Sequence, residues 1–378
     1  MRSSPSPTGA PPAPAKRGMG LLARAGYGLL ALMVLTGLGV WLMHSSIDPV
    51  EEGDTAHLPA VRSEMLADLR SWGYQLQGLS ITEAARSGHD LLVVDETLQG
   101  VGAARRSPAL AALKRKPDGS RRIVLAYVSI GEAESYRSYW QPGWSRPAIE
   151  AAATDRRSDV LSLGATPAVA GPVVDGGQKT LPVRVPTASA PAWLGRENLE
   201  WRGNYAVRFW DPGWQSLLSG SETATIDRLI AAGFDGVYLD RADVYTQWQT
   251  EKPDARAEMI GLVTRLSAYA KAKNPDFLIA MQNAEELLET RKMRRILDLV
   301  AKEDLYYGIA GNGVRNSDRD IAASLSYLKK AQTDGLPVLV VEYLEPGPNT
   351  EATRKSIEGH GFLAYFAPRA LNHLRARQ

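Results

Sequence analysis

Short apolar runs alternate with stretches of helical period along most of this chain. The clearest run is Phe234–Leu239, which follows a helical pattern over Ile226–Ala232 and stops at the carboxylate of Asp240. This alternation is typical of a parallel α/β sheet with strands buried on both faces. The predicted strands are Trp72–Leu76, Leu91–Val94, Ile123–Val128, Tyr205–Phe209, Phe234–Leu239, Phe277–Met281, Leu299–Ala301, Pro337–Val341 and Phe362–Phe366. They are one more than an eight-stranded barrel needs, so one is expected to be an extra strand or a loop.

Residues 146–190 interrupt the pattern. Ala, Pro, Gly and Thr dominate from Gly164 to Pro191, and no sustained apolar period is visible. We interpret this segment as a surface insertion. A flap over the active site is the alternative, but passive decoration is favoured.

The N-terminal part has a different character. Residues 25–43 form an uncharged, Leu- and Val-rich run preceded by Lys16, Arg17 and Arg24. Such a run spans a bilayer, and the positive flank favours an N-terminus in the cytoplasm. A cleaved signal peptide is the rival interpretation, but the bulky Val40–His44 offers no small-residue cleavage site. We expect a signal anchor in the inner membrane, with the rest of the chain facing the periplasm or exterior, or secreted if the segment is cleaved.

Domain organisation follows from these patterns. Residues 1–20 are predicted to be a disordered cytoplasmic tail, 44–60 a linker, and 61–378 the folded domain. Outside the first 46 residues the chain holds 40 basic and 42 acidic residues. This slight negative balance argues against a nucleic-acid-binding surface. The absence of cysteine fits an exported protein without disulfides.

Polar and acidic side chains follow most of the predicted strands. In a parallel barrel, the carboxyl ends of the strands meet at one rim, where catalytic residues lie. Carboxylates beside aromatic platforms suit glycoside hydrolysis, in which one acid protonates the leaving oxygen and a second acts as nucleophile or activates water. The candidates are Asp95, Asp211, Asp240, Asp243, Glu303 and Glu342, together with Tyr127, Asn283 and Tyr343.

These residue types also occur in helix caps, metal sites and serine hydrolases. An acid after a strand is often a helix N-cap, which is favoured for Asp211 because Pro212 follows it. The five histidines lack metal-ligand spacing, so a zinc site is not expected, whereas an all-oxygen magnesium site remains open. Ser129 lacks the first glycine of a nucleophile elbow. The favoured prediction is a site without metal or cofactor, with the magnesium site as its alternative.

Several motifs, taken in order, resemble those of the endo-α-1,4-polygalactosaminidases, glycoside hydrolase family 114, and their bacterial and archaeal relatives. The resemblance runs from about Trp72 to Phe366. The matching motifs are Trp72-Gly73-Tyr74-Gln75-Leu76-Gln77-Gly78, Val93-Val94-Asp95, Leu125 to Glu134, Trp193-Leu194-Gly195 with Asn204-Tyr205, Trp210-Asp211-Pro212 with Trp214, Phe234 to Asp243, Gln282-Asn283, Glu303 to Tyr307, and Val341-Glu342-Tyr343.

The resemblance implies a (β/α)₈ TIM barrel that cleaves α-1,4-linked galactosamine polymers with an Asp and a Glu. The Asp of the family's Asp-Gly-Val-x-x-Asp motif falls on Asp240, and the Glu after the next-but-one strand falls on Glu303. The insertion at 146–190 and the residue before Asp240 depart from the family pattern. The resemblance also suggests a retaining mechanism, with the remaining candidates lining the sugar subsites.

The leading hypothesis is therefore a membrane-anchored, outward-facing endo-glycosidase acting on an amino-sugar polysaccharide. A non-catalytic, carbohydrate-binding barrel that helps to assemble or retain a polymer is the alternative, and a magnesium-dependent phosphoryl or lyase barrel is the third.

Overall fold

The computed structural model describes residues 60–98, 106–148 and 183–376, all within one compact unit. Its strands are β1 Trp72–Gln75, β2 Leu91–Asp95, β3 Ile123–Ser129, β4 Glu132–Glu134, β5 Ser145–Ala148, β6 Val183–Pro186, β7 Leu194–Glu197, β8 Asn204–Val207, β9 Gly236–Asp240, β10 Leu278–Gln282, β11 Leu299–Glu303, β12 Tyr307–Gly308, β13 Gly311–Arg315, β14 Val338–Glu342 and β15 Leu363–Phe366. Its α-helices are Ala60–Ala67, Ile81–Arg86, Arg106–Leu113, Pro212–Leu218, Thr225–Ala232, Tyr245–Trp248, Ala255–Lys273, Arg291–Ile296, Asp318–Thr333 and Pro348–Gly359. Short 3₁₀ helices span Ala242–Val244 and Glu285–Glu289.

Eight parallel strands form a nearly closed barrel in the order β1-β2-β3-β9-β10-β11-β14-β15. Within these strands, no ladder of backbone hydrogen bonds joins β1 to β15. The indole of Trp72 instead donates to the Leu363 carbonyl (2.9 Å), and its ring lies 5.5 Å from that of Tyr365. The predicted TIM barrel is thus confirmed, with aromatic side chains holding its seam.

The barrel has an inner and an outer apolar layer because successive side chains of a strand point to opposite faces. Tyr238 and Ala280 belong to the inner layer, whereas Val237 and Ile279 pack against the surrounding helices. All five residues of β9 are buried, as are all five of β10. This double burial explains why the strands appear in the sequence as continuous apolar runs.

The helix Thr225–Ala232 shows how the sequence delivers a strand to the barrel. Its apolar positions Ile226 and Leu229 are buried against the sheet, and Gly233 ends the helix in a left-handed conformation with φ of 90°. Glycine adopts this conformation without the steric cost that a Cβ atom imposes. The chain then reverses and enters β9 three residues later.

The ninth predicted strand does not belong to the barrel. Tyr205–Phe209 overlaps β8, which lies at the centre of a separate antiparallel sheet in the order β4-β8-β7. The residues bounding the predicted insertion also form structure: β5 and β6 pair antiparallel, with Ser145 opposite Pro186. Residues 149–182 of that insertion lie outside the described residues.

The predicted tail (1–20) and membrane span (25–43) also lie outside the described residues, as does the linker except for Ala60. Within residues 60–98, 106–148 and 183–376, none of the helices combines the length and the apolar character needed to cross a bilayer. The anchor therefore stays a prediction from the sequence.

After β15 the chain returns along β1. The carbonyl of Leu371 accepts the N–H groups of Leu76 (2.9 Å) and Gln77 (3.1 Å). A Cβ atom on Gly73 would lie 2.8 Å from Leu374 Cδ1 and 2.9 Å from His89 Cδ2. Gly73 therefore allows the C-terminal segment to pack directly on the first strand.

We expect Gly73→Ala to lower the free energy of unfolding by about 1–3 kcal/mol, because the added methyl group overpacks this contact. The matched control is Gly359→Ala, where a Cβ atom would meet nothing within 4 Å at the end of a helix. Chemical denaturation of both variants measures the difference. An unfolding midpoint of Gly73→Ala equal to that of the wild type would show that the packing at Gly73 is not tight.

Candidate active site

Three neighbouring barrel strands end in the same way. Each finishes with a polar side chain, and the next residue has a positive φ although it is not glycine. Such conformations cost about 1–3 kcal/mol each and cluster at functional sites. The three pairs are Asp240 with Arg241 (φ 62°) after β9, Gln282 with Asn283 (φ 56°) after β10, and Glu303 with Asp304 (φ 54°) after β11.

Asp240 and Glu303 meet across Gln282. The Gln282 amide nitrogen lies 2.7 Å from Asp240 Oδ1 and 3.0 Å from Glu303 Oε2, so these two oxygens are within about 6 Å of each other. The Gln282 oxygen accepts the hydroxyl of Tyr238 (2.5 Å), which fixes the direction of the amide. Both carboxyl groups are fully buried, with 0% of either residue exposed. The structure thus brings together the two residues predicted as the catalytic pair.

Neutral donors complete the surroundings of the pair. The Tyr127 hydroxyl donates to Asp240 Oδ2 (2.8 Å), and the Tyr343 hydroxyl donates to Glu303 Oε1. Asn283 donates to Glu303 Oε2 (3.0 Å) and accepts the Glu303 N–H (3.1 Å). Of the residues predicted to bind substrate, Tyr127, Asn283 and Tyr343 therefore contact the pair directly.

Electrostatics favour the protonated form of Glu303. Burial raises the pKa of Glu303 far above its ordinary value, and the nearby carboxylates of Asp240 and Asp304 raise it further. The hydrogen bonds from Tyr343 and Asn283 oppose this shift but are smaller contributions. Glu303 therefore holds its proton at a pH where an ordinary carboxyl group has lost it.

Asp95 lies in a neighbouring ion-pair cluster rather than in contact with the pair. Its Oδ2 pairs with the buried guanidinium of Arg137 (2.9 Å), and its Oδ1 accepts the Thr97 N–H (2.9 Å). Arg137 also pairs with Glu134 (2.6 Å) and Glu96 (3.4 Å). The guanidinium of Arg137 thus pairs with three carboxylates, two at the end of β2 and one at the end of β4.

Asp243 is held by the residue that follows Asp240. The Arg241 guanidinium lies 3.5 Å from Asp243 and 3.1 Å from Glu132, and all three side chains are buried. Gly131 packs against the Arg241 backbone, where an added Cβ atom would lie 2.1 Å from the carbonyl oxygen. This cluster fixes the chain immediately after Asp240.

Glu342 and Asp211 have partners in the backbone. The Glu342 carboxylate accepts the N–H groups of Tyr306 (2.7 Å) and Tyr307 (3.2 Å) and so anchors the loop after β11. Burial raises the pKa of Glu342 to about 8 although both hydrogen bonds lower it. Asp211 accepts the Gly213 N–H (2.7 Å) as the N-cap of the helix Pro212–Leu218, the alternative function favoured by its sequence.

Two residues in this site were not among the predicted site residues. Gln282 ends β10 just as the two acids end their strands, so its position was the available signal, although only the neighbouring amide Asn283 was predicted. Tyr74 belongs to the inner layer of β1, and its buried hydroxyl has no hydrogen-bond partner among the described residues. No sequence pattern distinguishes it from an ordinary core tyrosine.

The described residues contain no group of three or more His, Cys, Asp or Glu side chains placed to hold one metal ion. Asp95, Asp243 and Asp304 are instead each paired with an arginine.

This chain is similar in sequence to proteins of Deinococcus radiodurans and Methanocaldococcus jannaschii. An uncharacterized protein of Deinococcus radiodurans is 31% identical over 323 residues, which are 85% of this chain and 87% of the relative. An uncharacterized protein of Methanocaldococcus jannaschii is 32% identical over 295 residues, which are 76% of this chain and 70% of the relative.

The fold also matches a solved structure, the glycoside hydrolase domain of PelA from Pseudomonas aeruginosa. The match covers 80% of this chain and 96% of that domain, with a TM-score of 0.50 and 15% sequence identity. At this identity the likeness concerns the fold. The model of glycoside-hydrolase family GH114 matches residues 182–377, which include β9, β10, β11 and the polar residues at their ends. That match covers more than half of the sequence, and the chain belongs to glycoside-hydrolase family GH114.

Proposed function

We propose that this glycoside hydrolase is endo-acting and cleaves an α-1,4-linked galactosamine polymer by a retaining mechanism. Glu303 is the general acid/base and Asp240 is the nucleophile. The observation that carries the proposal is the buried pair bridged by one amide, in which burial and the carboxylates of Asp240 and Asp304 raise the pKa of Glu303. An acid with a raised pKa beside a second carboxylate is the arrangement that glycoside hydrolysis requires.

The distance between the two groups supports retention. Retaining enzymes place their carboxyl groups about 5–5.5 Å apart, whereas inverting enzymes leave about 6.5–9.5 Å for a water molecule. The Gln282 bridge keeps one oxygen of each group within about 6 Å, which leaves little room for such a water.

The reaction then has two balanced steps. In the first, Asp240 attacks the anomeric carbon as the glycosidic C–O bond breaks, and the leaving oxygen takes the Glu303 proton. In the second, the Glu303 carboxylate takes a proton from water, whose oxygen displaces Asp240 from the anomeric carbon. Tyr127 and Gln282 orient Asp240 throughout, and Tyr343 and Asn283 orient Glu303.

The charge near the strand ends supports a cationic substrate. Arg137 is shared by the carboxylates of Asp95, Glu96 and Glu134, and Arg228 reaches Glu96 at 3.4 Å. These three carboxylates exceed the two guanidinium groups by one negative charge, which favours the ammonium groups of deacetylated galactosamine. The alternative, a non-catalytic carbohydrate-binding barrel, does not require a protonated carboxyl group beside a second carboxylate.

We also propose that residues 25–43 anchor the enzyme in the inner membrane with its barrel outside the cytoplasm. The support is the uncharged run and its basic flank. Membrane fractionation with protease protection tests this arrangement. Recovery in the soluble fraction with a new N-terminus beyond residue 43 would instead indicate a cleaved signal peptide.

We expect Glu303→Gln and Asp240→Asn each to lower the rate of polymer cleavage by at least about a thousandfold, because each removes one half of the reaction. The full-length chain in detergent is incubated with α-1,4-galactosamine polymer, and the released oligomers are measured by mass spectrometry. Glu303→Gln should melt near the wild-type temperature because an amide of the same size replaces a carboxyl group whose raised pKa favours the neutral form.

The control for these variants is Asp334→Asn, a change of the same size at an ion pair with Arg294 on the protein surface. Its cleavage rate should match the wild type. Polymer binding by the wild type without release of any oligomer would favour the non-catalytic barrel.

The stereochemistry of the first product provides an independent test. Two successive displacements at the anomeric carbon leave it in its original configuration, so ¹H NMR early in the reaction should show the α-anomer at the new reducing end. Initial appearance of the β-anomer would mean that a water molecule attacks directly and that Asp240 acts as a base.

A further inference from the structure

Arg369, which follows β15, reaches back to the end of β11. Its Nη1 and Nη2 atoms donate to the two carboxylate oxygens of Asp304, both at 2.9 Å. Its guanidinium carbon also lies 4.3 Å from the centre of the Tyr343 ring. Bidentate pairing with a carboxylate and stacking on an aromatic face are contacts for which arginine is specifically suited.

Both partners of Arg369 act directly on Glu303. Asp304 is the next residue in the chain and has a φ of 54°, so it sets the backbone direction at the end of β11. Tyr343 donates its hydroxyl to Glu303 Oε1. Arg369 therefore supports the acid from two sides, through the backbone that carries it and through the hydroxyl that binds it.

The surroundings leave Asp304 little freedom to move. A Cβ atom on Gly308 would lie 2.3 Å from the Asp304 carboxylate, so the β12–β13 hairpin packs directly on this group. Arg369 Nε also contacts Asn312 of the same hairpin. An aspartate held in a left-handed conformation needs such contacts to offset its strain.

We propose that Arg369 is a positioning residue for the general acid, which it holds through Asp304 and Tyr343. The proposal rests on the proposed function because it assumes that Glu303 is the acid. Arg369 does not touch the reacting carboxyl groups in the described contacts, so its effect is indirect.

Several charged or titratable groups interact with Glu303. They lie on, or directly after, five strands of the barrel. The anionic ones raise its pKa, whereas the cations stabilise its carboxylate form. These groups are Asp240 and Tyr238 on β9, Lys302 on β11, Asp304 after β11, Tyr343 after β14, Tyr74 on β1, and Arg369 after β15.

The test compares the pH dependence of kcat/KM for Arg369→Met and Asp304→Asn, measured on the full-length chain with the galactosamine polymer. The basic limb of this profile is the fall of kcat/KM at high pH. Its midpoint reports the pKa of the general acid in the free enzyme. Arg369→Met removes a positive charge, so the limb should move to higher pH by roughly one unit. Asp304→Asn removes a negative charge, so the limb should move to lower pH by a similar amount.

Both variants should also lose at least about tenfold in kcat, because the acid is no longer held in place. Arg369→Lys keeps the charge but loses the bidentate contact and most of the stacking. It should return the limb to its wild-type position while restoring only part of kcat. A residue that matters only for folding would change the melting temperature and the amount of active enzyme, but not the position of the limb.

Arg208→Met is the matched control. Arg208 pairs through two nitrogens with Glu251 (2.5 and 3.0 Å) and lies 4.8 Å over the ring of Trp248. The Arg208→Met variant therefore loses the same kinds of contact as Arg369→Met, but at a place with no described link to Glu303. Its pH profile should match that of the wild type.

An unmoved limb in Arg369→Met, or shifts of both variants in the same direction, would overturn the positioning role. Such a result, with an active wild type and an inactive Glu303→Gln, would leave the proposed function intact. Hydrolysis that survives in Glu303→Gln would instead remove the proposed function itself.

Discussion

The site depends on burying two carboxyl groups within reach of a single amide. Two ionised carboxylates this close and this deeply buried repel each other strongly, so one of them retains a proton. The neutral donors Gln282, Tyr127, Tyr343 and Asn283 are hydrogen-bonded to the pair. The nearby arginines are held by other carboxylates, Arg369 by Asp304 and Arg241 by Glu132 and Asp243. Burial is the largest cause of the raised pKa of Glu303, and the nearby carboxylates of Asp240 and Asp304 raise it further.

The barrel makes this arrangement possible by aligning three strand ends. Ser129 pairs with Asp240 and Glu303 with Val341, so the parallel register places the ends of adjacent strands side by side. A residue with a positive φ follows each of these ends, and the last side chains of the three strands are Asp240, Gln282 and Glu303. The two apolar layers of the barrel and the ion pairs of Arg241 and Arg369 provide the stability that offsets this strain.

Sequence reasoning succeeded where the signal is local and failed where it depends on packing. The barrel strands are apolar runs because both of their faces are buried. Tyr205–Phe209 also has a strand-like pattern because its alternate residues Tyr205, Val207 and Phe209 are buried, although the strand there belongs to the added sheet. Asp211 and Asp240 both follow apolar runs, yet Asp211 caps a helix while Asp240 faces Glu303 across Gln282. The sequence pattern alone cannot separate Asp211 from Asp240. An aspartate at the end of an apolar run can either cap a helix or face another acid.

The sequence by itself determined the α/β alternation, the acids at the strand ends and the family resemblance, because hydrophobic period and residue type are properties of the chain. Only the tertiary structure decided which side chains meet. It joined Asp240 to Glu303 through Gln282, placed Asp95 with Arg137, and brought Arg369 back to Asp304 across 65 positions of sequence. Each of these contacts joins separate strands or loops, and its geometry is set by the closure and register of the barrel rather than by any local pattern.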